Sequence, residues 1–215
     1  MKKRYFRDET GMYLDWDQLK QLPEVDTLID VGVGPMGTPE LYDRYPDALL
    51  ILIDPLSETI PCVDELKKKR DVQYIQTALG ENKGALRINI EEEIGRSSLL
   101  EVSEINYEGA PVEVREVNIS RLDDVVPTNP KLGKIGIKID TEGFELNVIK
   151  GARNLLRQTS FVLAEVRHNH ESIKESYKLH EFMNEMTNNG FVLTNIITAS
   201  PFIADLCFQP QNELI

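Results

Sequence analysis

The sequence predicts an α/β protein built on one largely parallel sheet, and three observations carry that prediction. Short apolar runs alternate with helical stretches along most of the chain, the order in which crossover helices cover a parallel sheet. The runs are mostly continuous in Ile, Val and Leu, as strands buried on both faces require. A length of 215 residues, 41% of them hydrophobic, supplies one core of domain size.

Seven strands follow from the apolar runs: Thr27 to Val31, Leu49 to Asp54, Val72 to Gln76, Ile135 to Asp140, Phe161 to Val166, Phe191 to Ile197 and Ile203 to Phe208. Thr38 reads as an N-cap with Pro39 in the first helical position, and that short helix ends before Pro46. Longer helices are expected over Ser57 to Arg70, Phe144 to Gln158 and Ser172 to Asn189, the last closed by Gly190. Residues 81–130 break the rhythm. They hold two β-prone pieces, Ala85 to Ile90 and Val112 to Ile119, and read as a partly β insertion suited to face a substrate. The expected organisation is a helical extension over 1–26, carrying Tyr13 and Trp16, and a single domain over 27–215.

Composition narrows function. A formal charge of -12 repels polyanions such as duplex DNA. The insertion concentrates this charge, with ten carboxylates against three arginines between Glu91 and Val126. Cys62 and Cys207 build neither a disulfide framework nor a zinc site. The N-terminus lacks the apolar stretch of a signal peptide, and the longest apolar run, Ala48 to Ile53, is far too short to span a bilayer. The expectation is a cytoplasmic protein that binds neither nucleic acid nor membrane; composition does not give its oligomeric state.

The most informative segment is Asp30-Val31-Gly32-Val33-Gly34-Pro35-Met36-Gly37, between an apolar strand and a helix. Glycines there allow a tight turn and close backbone approach to a ligand. Asp54 ends the next strand, 22 residues after Gly32, where a carboxylate accepts both hydrogen bonds of a ribose diol. An adenosine-type cofactor is indicated. Gly32, Gly34 and Gly37 also satisfy the dinucleotide pattern, so an NAD(P)-dependent oxidoreductase stays open, as does a non-catalytic cofactor-binding domain. Asp30 weighs against the dinucleotide. Its charge opposes a pyrophosphate but suits the amino group of S-adenosylmethionine, and Pro35 removes an amide from any phosphate cradle.

A second constellation, Lys138-Ile139-Asp140-Thr141-Glu142-Gly143-Phe144-Glu145, again leads from strand to helix, where ligands sit in open α/β sheets. Its carboxylates have an alternative use in capping the helix start.

At these residues the chain resembles the FkbM family of S-adenosylmethionine-dependent methyltransferases. Ile137 to Ala152 looks like that family's K-I-D-x-E-G-x-E followed by K-G-A. Supporting matches are Asp30-Val31-Gly32, Asp54-Pro55, Ala78-Leu79, Ser97-Ser98-Leu99, Leu122-Asp123 and Glu165. Asp54 stands where the family usually has Glu; Gly34 stands where it commonly has Asn, and its next glycine comes one residue before Gly37. The resemblance spans roughly Thr27 to Phe208. It implies a Rossmann-like class I methyltransferase sheet of seven strands, helices on both faces and the last strand antiparallel. It also implies O-methylation of a sugar, glycan or natural-product hydroxyl.

The expected cofactor contacts are Asp30, Gly32, Val33, Gly34, Gly37, Asp54, Pro55, Ala78, Leu79 and Asp140. Removing the hydroxyl proton needs a base, and the candidates are Asp140, Glu142, Glu165 and His168, with His170 near the last. Alternatively Asp140, Glu165 and His168 hold Mg or Mn, which would acidify the hydroxyl. Arg96, Ser97 and Ser98 are candidates to orient the acceptor, or to form a capping turn.

Overall fold

The computed structural model describes residues 6–7, 13–14, 16–100, 111–168 and 176–213. In chain order its strands are β1 (Phe6–Arg7), β2 (Tyr13–Leu14), β3 (Thr27–Val31), β4 (Leu49–Ile53), β5 (Val72–Ile75), β6 (Ala78–Leu79), β7 (Gly84–Ile90), β8 (Glu113–Ser120), β9 (Ile135–Ile139), β10 (Thr159–Arg167), β11 (Phe191–Ala199) and β12 (Ile203–Pro210). The α-helices are α1 (Pro39–Arg44), α2 (Ile60–Lys67), α3 (Leu122–Val125), α4 (Glu145–Lys150) and α5 (Leu179–Asn188).

The main sheet runs β1-β2-β11-β12-β10-β9-β3-β4-β5. From β10 to β5 every pairing is parallel, and β12 is antiparallel to both of its neighbours. The seven expected strands are therefore all present, the last one reversed. β3 leads to β4 on one side and has β9 on the other, so the switch in strand order opens a crevice at their carboxyl ends.

Each face is buried because the strands are apolar on both. Ile29, Ile51, Ile137 and Val162 face Leu146, Ile149, Phe182 and Met186 of α4 and α5. Leu28, Leu50, Leu52 and Leu163 face Leu41 and Tyr42 of α1 and Val63 of α2. The insertion forms its own sheet, β6-β8-β7, and packs Ile88, Ile90, Val117 and Ile119 against Leu56 and Ala78.

Several expected helices are shorter. The stretch expected over Phe144 to Gln158 is two pieces, α4 and a 3-10 turn at Leu155–Gln158. Asp123 explains the break: its carboxylate accepts from the amides of Asn154 and Leu155 at 2.9–3.1 Å and starts a fresh turn. The last helix begins at Leu179, where Glu181 accepts from Lys178 N at 2.7 Å; positions 172–175 of the expected stretch lie outside the described residues. Residues 57–59 form a 3-10 turn ahead of α2. The N-terminal segment, expected as helical, holds a 3-10 helix at Trp16–Gln21 and the two short strands. Among the described residues no helix is long and apolar enough to cross a membrane.

Candidate active site

At the carboxyl ends of β3, β4 and β9 lies an open cleft lined by residues of these strand ends, of the loop after β9 and of the insertion. One wall is backbone. Gly32 and Gly34 have φ of +80° and +60°, the left-handed region that a side chain adopts only under strain. A Cβ on Gly32 would lie 1.7 Å from the carbonyl oxygen of Asp140, so glycine is what lets β3 and β9 end side by side here. On Gly34 a Cβ would meet only Gly95, at 3.7 Å, which places the insertion's turn opposite the glycine loop.

Of the expected cofactor contacts, Gly32, Gly34, Asp54, Pro55, Ala78, Leu79 and Asp140 line this cleft. Asp54 is 5% exposed, and both of its oxygens are engaged by backbone: Gly34 N donates to one at 2.9 Å and Leu56 N to the other at 2.8 Å. Burial pushes its carboxyl above the usual range, opposed by these two amides. Asp54 therefore ties the glycine loop to the end of β4. Each oxygen keeps a lone pair for a further donor.

Asp30, Val33 and Gly37 are not in the cleft lining. Asp30 is fully buried on the α1 side of the sheet, where Tyr42 Oη and Thr38 Oγ1 donate to Oδ2 and the Lys138 ammonium stands 3.5 Å from Oδ1. Thr38 thus gives its hydroxyl to Asp30 and makes no side-chain cap on α1. The expected pairing of Asp30 with a cofactor amino group does not match this placement, because β3 turns the side chain toward α1. The electrostatic case against a dinucleotide drawn from it falls with that pairing. Gly37 is needed for packing instead: a Cβ there would lie 2.7 Å from the Tyr42 ring.

The opposite wall carries charge. Asp140 and Glu142 line the cleft, and Glu165 stands behind them with its carboxylate oxygen within 4.8 Å of theirs. Lys138 Nζ is 3.2 Å from Asp140 Oδ2, and Arg167 donates to Glu142. Glu142 itself has a φ of 52°, strained for a non-glycine residue. Glu145 holds the loop in that shape: Oε1 accepts from Thr141 N, Thr141 Oγ1 and Gly143 N at 2.9–3.0 Å, and Oε2 from Tyr177 Oη at 2.8 Å. Its 1% exposure makes it an anchor, so helix-start chemistry is its role. Ser98 and Ser176 fasten the same loop by donating to the carbonyls of Glu142 and Gly143.

His168 does not join the carboxylates. Its Nε2 lies 3.0 Å from the Ser200 carbonyl oxygen, which only accepts, so Nε2 carries the proton. His170 lies outside the described residues. The expected Asp140, Glu165 and His168 set for Mg or Mn is therefore not assembled; Asp140, Glu142 and Glu165 are the three that come together, and Lys138 and Arg167 already compensate the first two. The acceptor candidates separate as well. Ser97 lines the cleft and accepts from Glu91 N, Ser98 is buried, and Arg96 pairs with Glu93 at 3.3 Å outside the lining.

Sequence reasoning gave no role to Lys138 or Arg167. A lysine inside an otherwise apolar buried strand was the available signal, since a buried ammonium requires counter-charges. It also gave the insertion's carboxylates a place beside the acceptor. Among the described residues the insertion contributes Ile88, Ile94, Gly95, Ser97 and Leu99 to the cleft, and the acidic side chains there are Asp54, Asp140 and Glu142; residues 101–110 of the insertion, with Glu101, Glu104 and Glu108, lie outside the described residues.

Comparison with known proteins places this geometry. A putative S-adenosylmethionine dependent methyltransferase from Listeria monocytogenes superposes with a TM-score of 0.53 at 11% identity, covering 91% of this chain and 97% of that one. The magnesium protoporphyrin IX methyltransferase of Synechocystis PCC 6803, solved with bound SAM, gives 0.48 at 9% identity over 91% of this chain and 76% of the other. Among curated proteins there is no match. The methyltransferase FkbM domain matches residues 31–193, which include both cleft walls. The chain thus belongs to the FkbM methyltransferase family and is an S-adenosylmethionine-dependent methyltransferase.

Proposed function

We propose that the chain methylates a hydroxyl of a sugar, glycan or natural-product acceptor. The observation that carries this reading is the two-walled cleft, with backbone and apolar groups on one side and the carboxylates of Asp140 and Glu142 on the other.

The residues fit the cofactor. Ile53, Leu56, Ala78 and Leu79 offer apolar surface for an adenine, Asp54 reaches the ribose level, and the Gly32 and Gly34 backbone leaves room for the methionine part. Bound there, S-adenosylmethionine supplies an electrophilic methyl group on a positively charged sulfur. The chain must then hold a hydroxyl oxygen in line with that group and accept its proton. Asp140 is the candidate acceptor of the proton: it lines the cleft, and the Lys138 ammonium and the end of β9 fix its orientation. Glu142, tied to Arg167, is suited to hold a neighbouring hydroxyl of the acceptor. These carboxylates disfavour phosphorylated acceptors, while Ile88, Ile94 and Leu99 accommodate an apolar aglycone or ring face.

Incubating the protein with labelled methyl donor and a panel of sugars, glycosides and polyol natural products tests the proposal. Label appearing in an acid-stable methyl ether supports it. Label found only on amine or thiol members of a matched panel would refute the hydroxyl reading.

A further inference from the structure

Two carboxylates share one ammonium between β3 and the end of β9. Asp30 and Lys138 are register partners, and Asp140 lies two residues beyond Lys138, just past the strand. Lys138 is almost fully buried, so its charge is held in the sheet by ionised partners. The ammonium donates to Asp140 Oδ2 at 3.2 Å and stands 3.5 Å from Asp30 Oδ1. Among the described residues no hydrogen bond reaches that Oδ1.

This division runs against burial. The Asp30 side chain is fully enclosed whereas that of Asp140 is 30% exposed, and opposite charges attract more strongly where water is excluded. On burial alone the ammonium belongs to Asp30. What offsets the pull comes from α1. Thr38 at its N-cap and Tyr42 one turn further both give their hydroxyls to Asp30 Oδ2, and donors to an ionised carboxylate lower its need for a cation. Tyr42 is the better placed of the two. It is buried, and its ring packs against Gly37, so its hydroxyl is held at Asp30 by the helix and by the glycine loop together.

We infer that Tyr42 is a positioning residue for Asp140, acting through Asp30 and Lys138: by donating to the buried carboxylate it leaves the ammonium available to hold Asp140 at the cleft. The inference rests on the reading of Asp140 given above and adds to it the group that sets the orientation of that side chain. The end of the glycine loop is thereby joined to the opposite wall, since Gly37 packs on the same tyrosine whose hydroxyl decides where Lys138 stands.

Crystal structures of the full chain, unaltered and as Tyr42→Phe, test this directly. Phenylalanine keeps the ring against Gly37 and removes only the donor. In Tyr42→Phe the Lys138 ammonium is expected within hydrogen-bond distance of Asp30 Oδ1 and out of reach of Asp140 Oδ2. Adding Asp30→Asn removes the charge that draws it, and the bond to Asp140 should return. A tyrosine with a merely structural role would lower stability in Tyr42→Phe and leave the ammonium where it is; Lys138 still bonded to Asp140 in that variant would overturn the inference, as would an ammonium that stays with residue 30 in the double variant. Thr38→Val, which removes the other donor and leaves the tyrosine ring in place, gives the same reading if Tyr42→Phe does not fold. The position of one ammonium says nothing of the acceptor's class, so a failure here leaves the hydroxyl reading standing, and a failed methyl-transfer screen leaves Lys138 to be judged alone.

Discussion

The two walls of the cleft are built differently. The wall proposed for the cofactor is backbone: glycines with positive φ, the ends of β3, β4 and β6, and one aspartate whose oxygens are taken up by amides. The wall proposed for the acceptor is side chain: Asp140 and Glu142 from the loop between β9 and α4, backed by Glu165 and Arg167 on β10 and Lys138 on β9 and held by opposite charges. The first wall should fail when its shape changes and the second when its charge balance changes, and substitutions can separate the two.

Lys138→Met should have the largest effect. It leaves Asp30 buried without its cation, and removing one partner of a buried pair costs about 3–5 kcal/mol; Lys138 itself is only 8% exposed. Urea unfolding would read the loss, and a change below about 1 kcal/mol would show that Lys138 is not energetically coupled to Asp30. Next comes Gly32→Ala on the backbone wall. The left-handed backbone alone costs about 1–3 kcal/mol, and the collision with the Asp140 carbonyl should also abolish S-adenosylhomocysteine binding. Normal binding by this variant would mean that the glycine loop does not frame the cofactor.

Asp54→Ala should be milder. It orphans the amides of Gly34 and Leu56, for a loss of about 1–3 kcal/mol in cofactor affinity measured calorimetrically. Unchanged affinity would reduce Asp54 to a loop fastener.

The dependence of stability on pH tests the buried carboxyls that surround the charged wall. Burial holds Asp30, Glu145, Glu165 and Asp205 above their usual range, so between that range and their native values the folded chain binds more protons than the unfolded one. Stability should therefore rise as pH falls from neutral toward the ordinary carboxylate range. Glu58 runs the other way: Arg115 holds it down to about 2, so its contribution is present above 4.5 and is lost as pH falls toward 2. Thermal unfolding across pH should show a maximum on the mildly acid side; a maximum above neutrality would contradict the upward shift of these buried carboxyls. The smallest expected effect is Glu58→Gln at neutral pH, under about 1 kcal/mol, because its pair with Arg115 is solvent-accessible.

The difference between the walls also explains what the sequence disclosed. β3 was legible to the residue, Thr27 to Val31, because an apolar run bounded by Asp26 and Gly32 has one reading as a buried strand. The glycine turn and Asp54 stand out in the sequence because backbone-built loops leave local spacing signatures, and Gly32, Gly34 and Asp54 do line the cleft. Asp30 was misplaced toward the cofactor because spacing fixes where a residue lies along the chain but not which face its side chain takes; Tyr42 and Lys138 settle that from 12 and 108 residues away. The split after α4 depends on Asp123, and the separation of His168 from the carboxylates on the carbonyl of Ser200, both contacts between distant segments. For the acidic insertion the limit is similar: net charge over a segment does not say which side chains turn inward, and among the described residues it is the apolar ones that reach the cleft.

Calorimetric titration of the unaltered protein with S-adenosylhomocysteine, with NAD as the parallel ligand, tests the central claim most directly. The account predicts a saturable one-to-one heat for S-adenosylhomocysteine and none for NAD. Binding of NAD in place of S-adenosylhomocysteine would contradict it.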